Sequence, residues 1–172
     1  LTNWVDKQCA ETVYITPEKI LEPVRKYFGG PIPLDPATQP DNPSKALKFY
    51  TEEMNGLKLP WDAPIFINPP FGKIIRDFVA RIHEYAEQGL TILALLPCGA
   101  RFSTKYWQTH ALIPQLNAIC FVKGRVKFLR PDGTVARFNT YDSQIYGYSV
   151  DVNKFSQCFK DTGRILLTTV LS

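Results

Sequence analysis

The segment PIFINPPFG, running from Pro64 to Gly72, decides how the rest of the chain is read. Pro64–Ile67 is an unbroken apolar run of strand length, and Asn68-Pro69-Pro70-Phe71 ends it abruptly. Two consecutive prolines can neither donate to a sheet ladder nor prolong the strand, so a stiff turn at a strand end is predicted. Downstream, Ile74, Ile75, Phe78, Val79, Ile82 and Ala86 recur at helical spacing, and Gly89 closes that helix. Leu90–Leu96 is a second continuous apolar strand, ending in Pro97. Ser103 or Thr104 caps a further helix reaching Leu112, and Ala118–Val122 forms the next strand. Unbroken apolar strands alternating with helices describe parallel crossover units in an α/β sheet covered on both faces. Ligands of such sheets lie beyond the carboxyl ends of the strands, where Asn68 stands.

Upstream, Thr16-Pro17 reads as an N-cap and first helical residue, followed by Ile20, Leu21, Val24 and Phe28 on one face. Pro23 predicts a kink, and Gly29-Gly30 a stop. Pro31–Leu34 is then a short extended stretch that delivers Asp35 to a strand end as well. In the last third, Arg125–Phe138 reads as a hairpin turning at Pro131-Asp132-Gly133, and Ile165–Leu171 as a final strand. The loop Pro36–Ser44 is too short to act as a linker between domains and no segment repeats, so one domain over residues 1–172 is expected.

A chain of 172 residues, 45% apolar, can bury one sizeable core. Twenty Lys and Arg against 16 Asp and Glu give a net charge of +4, compatible with an anionic partner without requiring one. No apolar run approaches the ~18 residues of a membrane span, and no leader pattern opens the sequence, so a cytoplasmic protein is expected. Cys9, Cys98, Cys120 and Cys158 show no metal-ligand spacing and read as reduced thiols. There is no P-loop and no Ser/His/Asp constellation, and no metal is expected. His83 and His110 both fall on helices, His83 at the edge of an apolar face.

The chemistry concentrates at Asn68. Its side-chain amide and the carbonyl of Pro69 offer two acceptors held close together by the proline bend, with the Phe71 ring beside them. Such a pair can accept both hydrogens of an exocyclic amino group while the base stacks on the aromatic face. As a plain strand-terminating turn, Asn-Pro-Pro would do none of this.

Thr16-Pro17, Asp35-Pro36-Ala37-Thr38 and Asn68-Pro69-Pro70-Phe71 follow one another with Asn42, Phe49–Trp61, Leu95–Pro97 and Lys123–Phe128 among and after them. This ordered set resembles the phage and prophage DNA adenine methyltransferases, over roughly residues 14–130. The resemblance implies a Rossmann-like class I methyltransferase sheet, mostly parallel with an antiparallel C-terminal hairpin. It also implies S-adenosylmethionine as donor, adenine in DNA as acceptor at the position-6 amino nitrogen, and the cytoplasm of a bacterial host. Thr16, Pro17, Asp35, Pro36 and Ala37 would line the cofactor site, with Asp35 meeting the cationic methionine end, and Asn55 and Trp61 standing on the same side. Asn68, Pro69, Pro70 and Phe71 would be catalytic.

The sequence departs from the family at several points. Asp-Pro-Ala-Thr replaces the glycine-rich loop usual among methyltransferases, a variant this family shares. Tyr14 stands for Trp, Asn55 for Asp and Phe71 for the commoner Tyr. Beyond about residue 130 the family pattern fades.

Lys123, Arg125, Lys127, Arg130 and Arg137 form a basic stretch in which Val126 and Phe128 alternate with the charges. Contact with the DNA backbone is the functional reading, and a solvated sheet face the plain one. Pro97-Cys98 resembles the nucleophile of cytosine carbon-5 methyltransferases, but the acidic partner motif is lacking downstream. The alternative functions are methylation of another amino or amide group (cytosine position 4, an RNA base, a protein glutamine) and a catalytically silent module that binds nucleic acid.

Overall fold

The computed structural model describes residues 14–98, 100–136 and 142–168. Cys9, Arg137 and the end of the expected C-terminal strand lie outside them. Seven strands form one sheet: β1 (Leu34–Asp35), β2 (Lys48–Phe49), β3 (Ile65–Ile67), β4 (Ile92–Pro97), β5 (Leu116–Val122), β6 (Ser143–Tyr148) and β7 (Gly163–Leu167). The helices are α1 (Glu18–Phe28), α2 (Ile75–Glu87), α3 (Lys105–His110) and α4 (Val152–Phe159). Strand order is β2-β1-β3-β4-β6-β5-β7. The first four run parallel, β6 is antiparallel to both β4 and β5, and β7 is antiparallel to β5. The result is the expected Rossmann-like architecture, with its antiparallel strands at the C-terminal end of the chain.

Alternation along the central strands separates two cores. Ile65, Ile67, Ile92, Ala94 and Leu96 face α2 and α3, whereas Phe66, Leu93 and Leu95 face α1 and α4. All six residues of β4 are buried. Each large apolar side chain removed from water in this way contributes about 2 kcal/mol. Because both faces are covered, the open line along the parallel strands is their carboxyl edge.

Three expectations are corrected. The turn at Pro131-Asp132-Gly133 forms, with Arg130 N–H donating to Thr134 at 2.8 Å and Ala136 N–H to Phe128 at 2.9 Å. It does not join the sheet: its outer bridge goes to Ile15, which exchanges two hydrogen bonds with Leu129 at 2.8 and 3.0 Å. The antiparallel strands of the sheet are instead β6 and β7, and in β6 Gln144 and Gly147 interrupt the apolar pattern although every residue is buried. Gly147 is required there, since a Cβ would stand 2.9 Å from Val150 and 3.0 Å from Phe155. Finally, α1 starts one residue later than expected. Pro17 occupies the N-cap in an extended conformation and no side chain caps the helix, because the Thr16 hydroxyl is used elsewhere.

Candidate active site

β1 and β3 are parallel neighbours, with Leu34 opposite Ile65. Asp35 therefore ends β1, and Asn68 follows β3, on the same open edge of the sheet. A narrow cleft between them is lined by Tyr14, Thr16, Asp35, Ala37, Ser44 and Asn68, among others.

Asn68 is held in one orientation. Its Nδ2 donates to the Thr16 hydroxyl at 3.1 Å and to the Tyr14 carbonyl at 3.3 Å. Turning the amide over would point its oxygen at the Tyr14 carbonyl, so the nitrogen is fixed inward. The opposite atom, Oδ1, is buried without a hydrogen-bond partner. A buried acceptor left unmatched costs about 1–3 kcal/mol, and a donor supplied by a ligand would recover it. Pro69, which follows, is buried and has no N–H to compete for that position.

Phe71 stands in a ring cluster. Its centroid lies 6.0 Å from Tyr14 and 6.0 Å from Phe128, and Tyr14 lies 5.4 Å from Phe128. The Ile15–Leu129 bridge clamps the segment bearing Phe128 onto the stretch bearing Thr16. Stretches far apart in sequence thus converge on the Asn-Pro-Pro-Phe bend.

Asp35 is 4% exposed. Burial pushes its carboxyl up to about 6, against hydrogen bonds from Ser44, the Ala37 N–H and Thr38 that pull it down. The Ala37 N–H donates to Oδ1 at 3.2 Å. Ser44 reaches it because Asn42, at φ +49°, folds the loop back on itself, its Oδ1 accepting from Ala46 N–H at 3.1 Å and from Ser44 at 3.3 Å. A buried carboxylate with neutral polar neighbours and no cation is built to receive a positive charge.

Asn55 and Trp61 are not among the residues lining this cleft. Asn55 adopts φ +58°, and the following Gly56 presses on the Asp35-Pro36-Ala37 turn: a Cβ at Gly56 would lie 2.0 Å from the Pro36 carbonyl oxygen. Trp61, expected on the cofactor side, is 2% exposed. Its indole donates to the Gly56 carbonyl at 2.9 Å and stacks on Tyr85 at 5.3 Å, so it supports the loop from within the core. Pro17 lines a neighbouring groove with Lys19, Arg125 and Lys127.

Arg125 and Lys127 are exposed and alternate with buried Val126 and Phe128, as the sequence suggests, though the segment is not a sheet strand. Lys123 is exposed and Arg130 half-buried, and Arg125 makes an exposed ion pair with Asp142 at 3.3 Å. Cys98 is half-buried, and burial together with the Asp142 carboxylate raises its thiol above the ordinary range, the opposite of what a nucleophile needs. His83 and His110 face each other across α2 and α3, Nδ1 to Nδ1 at 3.0 Å, outside the cleft.

Sequence reasoning missed Ser44 and Thr38 as partners of Asp35, and the site role of Thr16 as the residue that orients Asn68. Among the described residues, no group of three or more His, Cys, Asp or Glu could hold a metal ion, and no helix is long and apolar enough to cross a membrane. A family model described as DNA N-6-adenine-methyltransferase (Dam) matches residues 6–157. No curated protein matches the chain.

Proposed function

The chain belongs to the DNA N-6-adenine-methyltransferase family and is an enzyme of that activity, and from this premise we propose how its residues divide the work. The observation that carries the proposal is the unmatched, oriented Oδ1 of Asn68. It accepts one hydrogen of the adenine amino group, and the Pro69 carbonyl accepts the other.

The amino lone pair of adenine is delocalised into the ring and attacks poorly. Two acceptors at the amino hydrogens favour a more tetrahedral nitrogen and stabilise the positive charge that develops there. Phe71, braced by Tyr14 and Phe128, offers the face on which the base stacks. A base inside duplex DNA cannot reach this edge and must be extruded from the stack.

The methyl donor in this reading is S-adenosylmethionine, whose sulfonium supplies an electrophilic methyl group. The site fits its cationic end: Asp35 is a buried carboxylate with only neutral partners, and it lines the cleft together with Thr16 and Asn68. Thr16, Pro17, Pro36 and Ala37 shape the surrounding wall, while Asn55 and Gly56 fix the turn from behind. Lys123, Arg125, Lys127 and Arg130 contact the phosphates flanking the target. Catalysis by this chain is then mainly alignment of nitrogen and methyl group. A single methyltransferase domain working in the cytoplasm of a bacterial cell is the setting we infer.

The test is to incubate the chain with S-adenosylmethionine and DNA, digest the DNA to nucleosides and measure N6-methyladenine by mass spectrometry, alongside Asn68→Ala. The variant should bind the donor calorimetrically like the parent and produce no N6-methyladenine. Undiminished product would remove Asn68 from the mechanism.

A further inference from the structure

The basic residues read from the sequence lie on one segment, but two grooves carry positive charge beyond it. The first, between the start of α1 and residues 125–135, includes Lys19, Arg125 and Lys127. The second lies at the corner where β5 ends and β7 begins, lined by Phe121, Lys123, Lys160, Asp161, Arg164 and Ile165. The grooves meet at Lys123, whose carbonyl accepts from the Lys19 ammonium at 3.3 Å. In the second groove three exposed cations face one exposed carboxylate. Among the described residues, Lys123, Lys160 and Arg164 form no ion pair, unlike Arg25, Lys48, Arg81 and Arg125.

The corner shares an edge of the molecule with the active site. β5 runs in the same direction as β3, so Phe121 and Lys123 sit at the carboxyl edge, as Asn68 does. β7 is antiparallel and begins there, with Arg164 in register with Phe121. From β3 to β5 is three steps across the sheet and to β7 four, at about 4.8 Å each. That places the cations ~14–19 Å along the edge, the length of roughly four to six base pairs.

We propose that the corner formed by Lys123, Lys160 and Arg164 is a second DNA-backbone contact, holding phosphates about four to six base pairs to one side of the target adenine. The proposal rests on the DNA-methylating function above and extends the footprint beyond the matched residues 6–157, since Lys160 and Arg164 lie outside them. Phe121, 38% exposed, is the apolar floor against which sugars pack. The unpaired cations select a polyanion, and through Lys123 the corner is continuous with the groove that holds Lys19 and Lys127.

The experiment compares the full chain with the Lys160→Gln, Arg164→Gln double variant. Binding is measured on a duplex that the parent methylates, with flanks of about ten base pairs, and on the same site trimmed to about two, spans chosen against the ~1.7 Å charge spacing of duplex DNA. An unchanged thermal transition shows that both proteins are folded. On the long duplex the variant should bind about tenfold more weakly at low salt, with a log affinity against log salt slope shallower by about two. On the trimmed duplex the two proteins should bind alike. Equal affinity and slope on the long duplex would overturn the proposal, as would an equal loss on both duplexes. A change in oligomeric mass with unaltered DNA affinity would assign the corner to a protein partner and overturn it too. Failure of the parent protein to methylate any DNA would remove the DNA-methylating function itself before this comparison, whereas a parent that binds and methylates beside an indifferent variant removes only the second contact.

Discussion

The Asn68 amide nitrogen and the Thr16 hydroxyl meet at 3.1 Å across 52 residues of sequence. Thr16 is 8% exposed, so water does not compete for that bond. Together with the Tyr14 carbonyl, which can only accept, the bond holds the Asn68 amide in one orientation. Thr16→Val keeps the shape and removes the acceptor, so the amide loses one of its two anchors. We expect turnover to fall by about ten- to a hundredfold, the scale of a small misplacement of a reacting group. Thr16→Ser should restore most of it. Steady-state kinetics on a DNA substrate, with the thermal transition as control, checks this.

Asp35 makes stability depend on acidity in a predictable direction. Its carboxyl is raised from 3.8 to about 6 by burial. The unfolded chain gives up this proton near pH 4, while the folded chain keeps it until near pH 6. Folded protein therefore holds more protons between those values, and stability falls as pH rises through that window. Above it the full cost persists, about 3 kcal/mol for a shift of this size. Asp35→Asn should raise the melting temperature of the ligand-free protein at neutral pH and flatten its dependence between pH 4 and 6. The same variant should lose the methyl donor, as read by calorimetry.

Donor affinity should follow the same carboxyl. A cationic ligand end binds the ionised form, so affinity should climb as pH rises through about 6 and then level off. Binding below that value should release a proton, visible as a dependence of the calorimetric heat on buffer ionisation enthalpy.

Gly56→Ala tests the loop behind the cofactor turn. The added Cβ would stand 2.0 Å from the Pro36 carbonyl oxygen, a contact with backbone that cannot swing aside. We expect a loss of about 1–3 kcal/mol in stability, the usual cost of overpacking. Donor affinity should weaken as well, because the displaced Pro36 lies between Asp35 and Ala37. Chemical denaturation and donor titration read the two effects separately.

Cys98→Ser should leave turnover unchanged. A thiol raised by burial and by the nearby Asp142 carboxylate is a poor nucleophile at neutral pH. A large loss of methyl transfer in this variant would show a role for the sulfur that its surroundings do not suggest.

The β3–α2–β4 unit is legible in the sequence because its apolar residues repeat at the periods of strand and helix and the proline bend marks one boundary. β6 is not, since Gln144 and Gly147 break the pattern and their burial depends on strands far away in sequence. β2, at two residues, is too short to leave a period, whereas β1, equally short, is read within the extended stretch Pro31–Leu34. In the site, Asn68 and Asp35 can be read from turn chemistry at strand ends. Thr16 reads as a helix cap because Thr-Pro before an apolar period carries that signal, and only the tertiary bond to Asn68 redirects it. Ser44 reaches Asp35 through a loop folded by the side chain of Asn42, which no local pattern announces. Trp61 goes the other way, an aromatic beside family motifs that serves as core.

The insertion of β6 between β4 and β5 has a consequence for biosynthesis. A nascent chain can form the β3–α2–β4 unit early, yet β5 finds no neighbour in the sheet until residues 143–148 have left the ribosome. The clamp between Ile15 and Leu129 likewise waits for distant stretches of the polypeptide. Long-range closure of this kind is slow and comes last. A chain translated only as far as β5 therefore lacks both a completed sheet and the neighbour that would hold its last strand.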